Sequence, residues 1–209
     1  MAHFLDHVTP LLLTYNEEEN IGRSLSNLTW AKRILVVDSG STDATLTIAR
    51  SLDNVEIRHR IFDDFASQCN FGIAAVRTAW VLSLDADYEL SDDLVAELHN
   101  LEPDDATGGY LSNFIYKVHG QPLRASVYPP RIVLHRKLGS RYYNEGHAHH
   151  VVVDGGIQKL RNPIFHDDRK PLSRWFSSQQ RYALLEAEHL AGADRSALST
   201  VDRIRRASW

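Results

Sequence analysis

The chain has 209 residues, 43% of them hydrophobic and 24% charged, with a formal net charge of −4. That length holds one full core, or a core and a small appendage. The acidic balance argues against nucleic-acid binding, and the lone cysteine, Cys69, excludes an internal disulfide framework and fits a reducing compartment. The opening "MAHFLDHVTPLLLTYNEEE" has no basic start followed by a long apolar stretch. No window reaches the roughly 20 apolar residues of a membrane span. A single cytoplasmic α/β domain is expected over 1–209.

In chain order, residues 8–14 (VTPLLLT) are an apolar run of strand length. Residues 16–28 predict a helix, with Asn16 able to cap it and Ile21, Leu25 and Leu28 on one face. Residues 34–38 (ILVVD) predict a strand buried on both faces, since apolar residues run without polar alternation. A helix over 41–52, a strand over 55–59, a helix over 65–79, a strand over 80–85 and a Ser91-capped helix over 91–101 follow. Alternation of this kind is the pattern of a parallel sheet covered by helices, in which ligands bind beyond the carboxyl ends of the strands. Polar clusters stand at those ends: "TYNEE", "DSGSTD" and "DADY".

The second half, 102–209, reads differently. Residues 108–120 alternate like one antiparallel strand, 129–137 predict a proline-bounded strand, and 142–156 a strand and turn. A long helix over 171–192 carries Phe176, Ala183, Leu184, Ala187, Leu190 and Ala191 on one face. It is either a core-packing helix with a solvated basic tail or, with the terminal "RIRRASW", a surface that rests on an anionic membrane.

Asp85 and Asp87 stand one residue apart after an apolar run. In extended backbone they point to one side, where two carboxylates repel unless a cation lies between them. Magnesium or manganese with a diphosphate meets that need; a solvated acidic turn is the alternative. Asp38 is placed either to accept from a ribose hydroxyl or base N–H or, with Ser41, to cap the next helix; Ser39, Gly40 and Ser41 offer a tight turn. Thr14, Tyr15, Asn16 and Glu17 supply a hydroxyl, a ring, an amide and a carboxylate at the first strand end. In "NEGHAHH" (144–150), Glu145, His147 and His149 would share one face of a strand, as a base with a tunable pKa or as metal ligands. His166 is a further candidate ligand. Neither a G-x-G-x-x-G nor a G-x-x-x-x-G-K-[ST] motif is present.

"TYNEEENIGRSL", "ILVVDSGSTDATLTIA" and "WVLSLDADYEL" together resemble, in order and spacing, the N-terminal half of an inverting family 2 glycosyltransferase with the GT-A fold. The later "YPPRIVLHRK", "DGGIQKLRNPIFHDD" and "PLSRWFSSQQRYALLEAE" resemble the branch containing lipopolysaccharide core glucosyltransferases. The resemblance implies a nucleotide-sugar donor, with UDP the favoured carrier, a divalent metal, and a cell-envelope glycan or lipid-linked acceptor. It implies that Thr14, Tyr15 and Asn16 lie at the nucleotide, that Asp38 holds its base or ribose, and that Gln68 lies near it. Asp87 would bind the metal with Asp85 alongside, nearer the nucleotide, and His166 would add a metal or phosphate contact. Relatives of this kind often continue into an apolar segment. Two positions depart from the branch: Tyr88 stands where many relatives have glutamate, and His149-His150 where many have His-Glu. The base is therefore expected to be Glu145, with His147 or His149 as alternatives. A nucleotidyltransferase would show a Gly-rich basic loop where this chain has the acidic "TYNEEEN". A non-catalytic binder would be favoured by loss of a D-x-D aspartate, and both are present.

Overall fold

The apolar runs of the first half form the parallel strands expected of them. The structure, a computed structural model, describes residues 3–124, 129–145, 148–194 and 200–207. After a 3-10 turn the chain forms β1 (Val8–Thr14), α1 (Ile21–Ser26), β2 (Ile34–Asp38), α2 (Thr45–Ala49), β3 (Val55–His59), α3 (Phe65–Ala75), β4 (Trp80–Asp85), β5 (Tyr88–Leu90) and α4 (Asp92–His99). β6 (Thr107–Ser112), β7 (Phe114–Val118), β8 (Gln121–Pro122), β9 (Arg131–Arg136), β10 (Ser140–Glu145), β11 (Ala148–Val153), β12 (Gly156–Lys159) and β13 (Ile164–His166) follow. Helices α5 (Leu172–Gly192) and α6 (Thr200–Ala207) come last.

Seven strands make the main sheet in the order β12-β6-β9-β4-β1-β2-β3. β3, β2, β1 and β4 run parallel, and β9 is antiparallel to both β4 and β6. A smaller sheet has the order β5-β13-β7-β8, and β10 and β11 form a separate hairpin. The strands of the parallel block are buried on both faces, which is why they read as unbroken apolar runs. Leu12, Ile34, Val36, Leu82 and Leu84 meet α1, α2 and α4 through Ile21, Leu25, Ala49, Leu94 and Leu98. Leu11, Leu35, Val37 and Val81 face the opposite way and meet Ala66, Cys69 and Ile73 of α3. Gly72 lets α3 lie this close, since a Cβ there would stand 2.5 Å from a Leu11 methyl.

Three expectations change. The first helix is short, because Asn16 adopts a left-handed φ of 53° and its side chain accepts from the Thr42 backbone N–H (2.8 Å) instead of capping. Residues 108–120 are two strands in different sheets, broken at Asn113. Of the two readings open for α5, the core-packing one fails over much of its apolar face: Phe176 and Leu184 are 59% and 61% exposed, while Leu190 is buried. Both faces of the parallel block are already covered by α1, α2, α4 and α3, leaving α5 no apolar sheet to cover.

One core group links this fold to pH. His135 on β9 is fully buried; its Nδ1 lies 3.1 Å from the Arg136 carbonyl oxygen, and its Nε2 has no partner among the described residues. Burial pushes its pKa down to about 4 from 6.5. The unfolded chain then binds this proton more readily than the folded one, so the stability held above about pH 6.5 is lost as pH falls toward 4. Denaturant melts should show a loss of about 2 kcal/mol from this residue between about pH 7 and pH 5. His135→Leu should remove that part of the pH dependence.

Candidate active site

β1 has β2 on one side and β4 on the other, so the chain winds outward in both directions from β1. That reversal opens a crevice at the carboxyl ends of β1 and β4, where ligands of open α/β sheets bind. Thr14, Asp38 and Asp85 end β1, β2 and β4 at that edge.

On the β2 side, Asp38 is fully buried. Its carboxylate accepts from Gly40 N (2.9 Å), Ser41 N (3.1 Å), Ser41 Oγ (2.5 Å) and Thr14 Oγ1 (3.2 Å), with His59 Nδ1 at 3.3 Å. Burial opposes the charge, but these donors outweigh it and hold the pKa below the usual carboxylate range. Gly40, with φ 96°, is the turn residue that aims its N–H at Asp38. Gln68 is buried as well; its amide donates to Ser39 Oγ (2.8 Å) and the Arg60 carbonyl (2.9 Å) and accepts from Arg60 (3.0 Å). Both side chains are occupied by the loops around them. Tyr15 is half exposed above this edge, with the Arg174 guanidinium 6.0 Å from its ring centre.

At the β4 end the two aspartates part. The strand stops at Asp85, and Ala86 and Asp87 form a turn before β5, so the shared side expected of extended backbone is lost. Asp85 lines a cavity of about 290 Å³. Asp87 turns instead to His166, with Oδ2 3.0 Å from Nε2, and its Oδ1 is buried with no partner among the described residues. Burial works against both charges, yet their mutual attraction prevails: Asp87 is held below the usual carboxylate range and His166 above the usual imidazole range. His166 is brought there by β13, which pairs with β5 so that His166 lies opposite Tyr88. Tyr88 is buried, with its ring 5.1 Å from Phe114 and 5.3 Å from His166. It is an aromatic wall where an acid was the expected residue, and the neighbouring Glu89 pairs with Arg23 and Lys117. Among the described residues no three of the His, Cys, Asp and Glu side chains converge as a ready ligand set.

Glu17 sits beside this corner. It accepts from Lys170 Nζ (2.6 Å) and Asn20 Nδ2 (2.9 Å). Burial pushes its pKa up to about 7 against the pull of Lys170, and Asp87 adds to the rise. Asn20, fully buried, also donates to Asp168 and accepts from Arg23 and the Arg169 N–H. It ties the start of α1 to the segment after β13.

The cavity is walled by Leu13, Cys69, Asp85, Tyr88, Arg131, Tyr142 and His149, among others. The segment expected to be one strand doubles back as the β10–β11 hairpin, in which Asn144 is opposite His149 and Glu145 opposite Ala148. Directly opposed residues share a face, so His149 falls on the face of Tyr142 and Asn144, whereas Glu145 falls on that of Tyr143 and His150. His149 stacks on Phe65 of α3 (5.2 Å), and Asn144 bonds to Asp64 and to the Ala66 N–H. Burial pushes the His149 pKa down to about 4 despite Asp85. Glu145 is half exposed, with His150 Nε2 3.8 Å from its carboxylate. His147 lies outside the described residues. Lys170, Asn20, Arg131 and Tyr142 were not singled out from sequence; the one available signal was the dense charge of "HDDRK".

A Rossmann-like parallel block with a switch-point crevice and an acidic turn after β4 is the architecture of a ligand-binding α/β sheet. Residues 11–158 match the family described as Glycosyl transferase family 2, and the chain belongs to that family. It is 28% identical over 142 residues to an uncharacterized glycosyltransferase of Rickettsia bellii, covering 68% of this chain and 47% of that protein. It is 26% identical over 91 residues to the lipopolysaccharide core biosynthesis glycosyltransferase LpsC of Rhizobium meliloti, covering 42% and 34%. The chain spans about half the length of the first of these curated relatives. S. aureus TarS in complex with UDP-GlcNAc superposes with a TM-score of 0.55 at 13% identity, over 94% of this chain and 69% of that one. Glucosyl-3-phosphoglycerate synthase from Mycobacterium tuberculosis, solved with Mn2+, UDP and phosphoglyceric acid, gives 0.54 at 16% identity, over 86% and 77%. These structures share the GT-A fold with this chain.

Asp38→Asn would turn one accepting oxygen into a donor facing Gly40 and Ser41 N–H groups. Its unfolding free energy should fall by about 2 kcal/mol in urea titration, while Ser39→Ala, which removes only a hydroxyl from that loop, should cost less.

Proposed function

We propose that this chain is the catalytic part of an inverting glycosyltransferase that moves a sugar from a nucleoside-diphosphate donor, UDP-linked in the best-supported case, to a hydroxyl of a cell-envelope glycan or lipid-linked acceptor. The observation that carries it is Asp87: a carboxylate paired with His166 on one oxygen and with a buried second oxygen that has no partner among the described residues, beside the cavity at the switch point. The complexes of TarS with UDP and with UDP-GlcNAc support the donor class, and the similarity to the lipopolysaccharide core glycosyltransferase LpsC supports the acceptor class.

The residues fit a divalent metal. An oxygen and an imidazole nitrogen are usable donors for manganese, and such ions commonly take one or two protein carboxylates and complete their shell with phosphate and water. Asp87 and His166 would hold it, with Asp85 facing the cavity nearby; when bound it supplies positive charge against the leaving diphosphate. Tyr15 offers a ring to the base. Asp38 and Gln68 act by fixing the loops around the nucleotide, and Thr14, Asn16 and Gly40 belong to the same framework. His149 is the preferred base: it lines the cavity with Asp85, Phe65 stacks on its ring, and burial keeps its imidazole in the neutral form that a proton acceptor requires. Glu145 is second, because it faces the other side of the hairpin.

No helix among the described residues is long and apolar enough to cross a membrane. Contact with a lipid surface would instead run through α5, which exposes Leu172, Trp175 and Phe176 next to Arg174 near Tyr15, a make-up suited to an interface.

Calorimetry with UDP should show binding that strengthens with manganese. Asp87→Ala should lose that metal dependence and on the order of a hundredfold or more in transfer. In the same assay His149→Ala should lose about a hundredfold, whereas Glu145→Gln should keep most of its activity; the reverse ranking would move the base to Glu145. Flotation with anionic vesicles should carry the wild type upward and leave a Trp175→Ser, Phe176→Ser variant in the dense fraction; no wild-type flotation would remove the membrane contact.

A further inference from the structure

Lys170 lies four residues beyond His166, and its side chain is only 16% exposed. Its Nζ is 2.6 Å from Glu17 Oε1 and 3.9 Å from Asp168 Oδ2, and its backbone N–H donates to Asp168 Oδ1 (3.0 Å). Glu17 follows the end of β1, so this contact pins the post-β13 segment against the nucleotide edge. The same segment is fixed to the acidic turn, since Asp167 N–H donates to the Asp87 carbonyl (3.1 Å). Lys170 therefore stands between the β1 end, where Tyr15 and Asn16 lie, and the Asp87–His166 corner, and it interacts electrostatically with Asp87.

Of the other cations near these strand ends, Arg131 lines the cavity and donates to the His149 carbonyl (2.6 Å), Arg174 lies 6.0 Å from the Tyr15 ring centre, and four more are paired with acids. Arg23 pairs with Glu89 and Asp167, Arg169 with Asp167, Arg60 with Asp63, and Lys117 lies on the Phe165 ring beside Glu89. A nucleoside diphosphate whose base lies over the β1 and β2 ends and whose phosphates reach Asp87 would run along the edge where Lys170 pairs with Glu17. An ammonium point charge on a flexible stem is a usual partner for phosphate.

We infer that Lys170 is a donor-binding residue that pairs with the diphosphate, and that Glu17 is the positioning residue that holds its ammonium at that place before the donor arrives. The inference rests on the donor class proposed above. It predicts a contact with phosphate and none with the base.

The test is calorimetry with UDP and with uridine, in excess manganese, on the wild type, K170Q, K170R and the double variant E17Q/K170Q, with melting temperatures as the check on folding. K170Q should lose about tenfold or more in UDP affinity with uridine binding unchanged, and K170R should retain most of the UDP affinity. The double variant separates the two possible roles of Lys170. If Lys170 touches the diphosphate, the loss persists in E17Q/K170Q; if it only neutralises Glu17, removing both charges restores wild-type affinity and the assignment falls. Undiminished UDP binding by folded K170Q also overturns it while leaving the donor class intact. Failure of the wild type to bind UDP overturns the donor class and the Lys170 assignment together.

Discussion

The contact on which the site depends is the one between Asp87 and His166. A carboxylate exposed over only 14% of its side chain needs a compensating charge or donors, and here the partner comes from the last strand of the fold. β13 pairs with β5 in the register that sets His166 opposite Tyr88. That pairing joins the second half of the chain to the acidic turn of the first. It also draws in Asp167, Asp168 and Lys170, which follow at once, and sets the point from which α5 departs.

Four carboxylates around this crevice show how one chemical group takes different characters. Asp38 is stabilised by N–H and O–H donors of its own loop and is part of the framework. Asp167 is buried against Arg23 and Arg169 and braces the segment after β13. Asp87 shares its charge with an imidazole and keeps one oxygen without a partner among the described residues. Glu17 has a lysine but also burial and a nearby like charge, so its proton is held near neutrality. Only the last two are set where further charge could be accommodated, and both lie at the β1–β4 crevice. A carboxylate satisfied within its own loop on the β2 side and a charge pair made across the fold on the β4 side are therefore separate provisions of one sheet edge.

The long helix α5 follows from the same economy of surfaces. Two helical layers already cover the parallel block, and the small β5-β13-β7-β8 sheet offers little more. An amphipathic helix launched from β13 leaves Leu172, Trp175 and Phe176 in solvent close to the candidate donor site. Its apolar stripe is real, but the sheet supplies nothing for most of it to cover.

The strands of the first half were legible because a strand buried on both faces is an unbroken apolar run, and the polar residues that end it are local in sequence. The same locality disclosed the Ser91 cap, the acidic D-x-D turn and the order of polar clusters at the strand ends, and hence the family. Other features depended on distance in the chain. Tyr88 reads as a missing acid until Phe114 and His166 close on it. Asp85 and Asp87 read as a pair until a turn sends one to the cavity and the other to His166. Glu145 and His149 read as one face until the segment folds back on itself and separates them. Lys170 showed only as part of the charged "HDDRK" and Asn20 not at all, because the contacts that join them to the other half of the chain, Lys170 with Glu17 and Asn20 with Asp168, span 153 and 148 residues. By itself the sequence determined the parallel block, its polar edge and the residue types available there, since each follows from short-range pattern. Which of those residues meet, and with what charge, was decided only by the tertiary structure, because burial and ion pairing arise between segments that the chain keeps far apart.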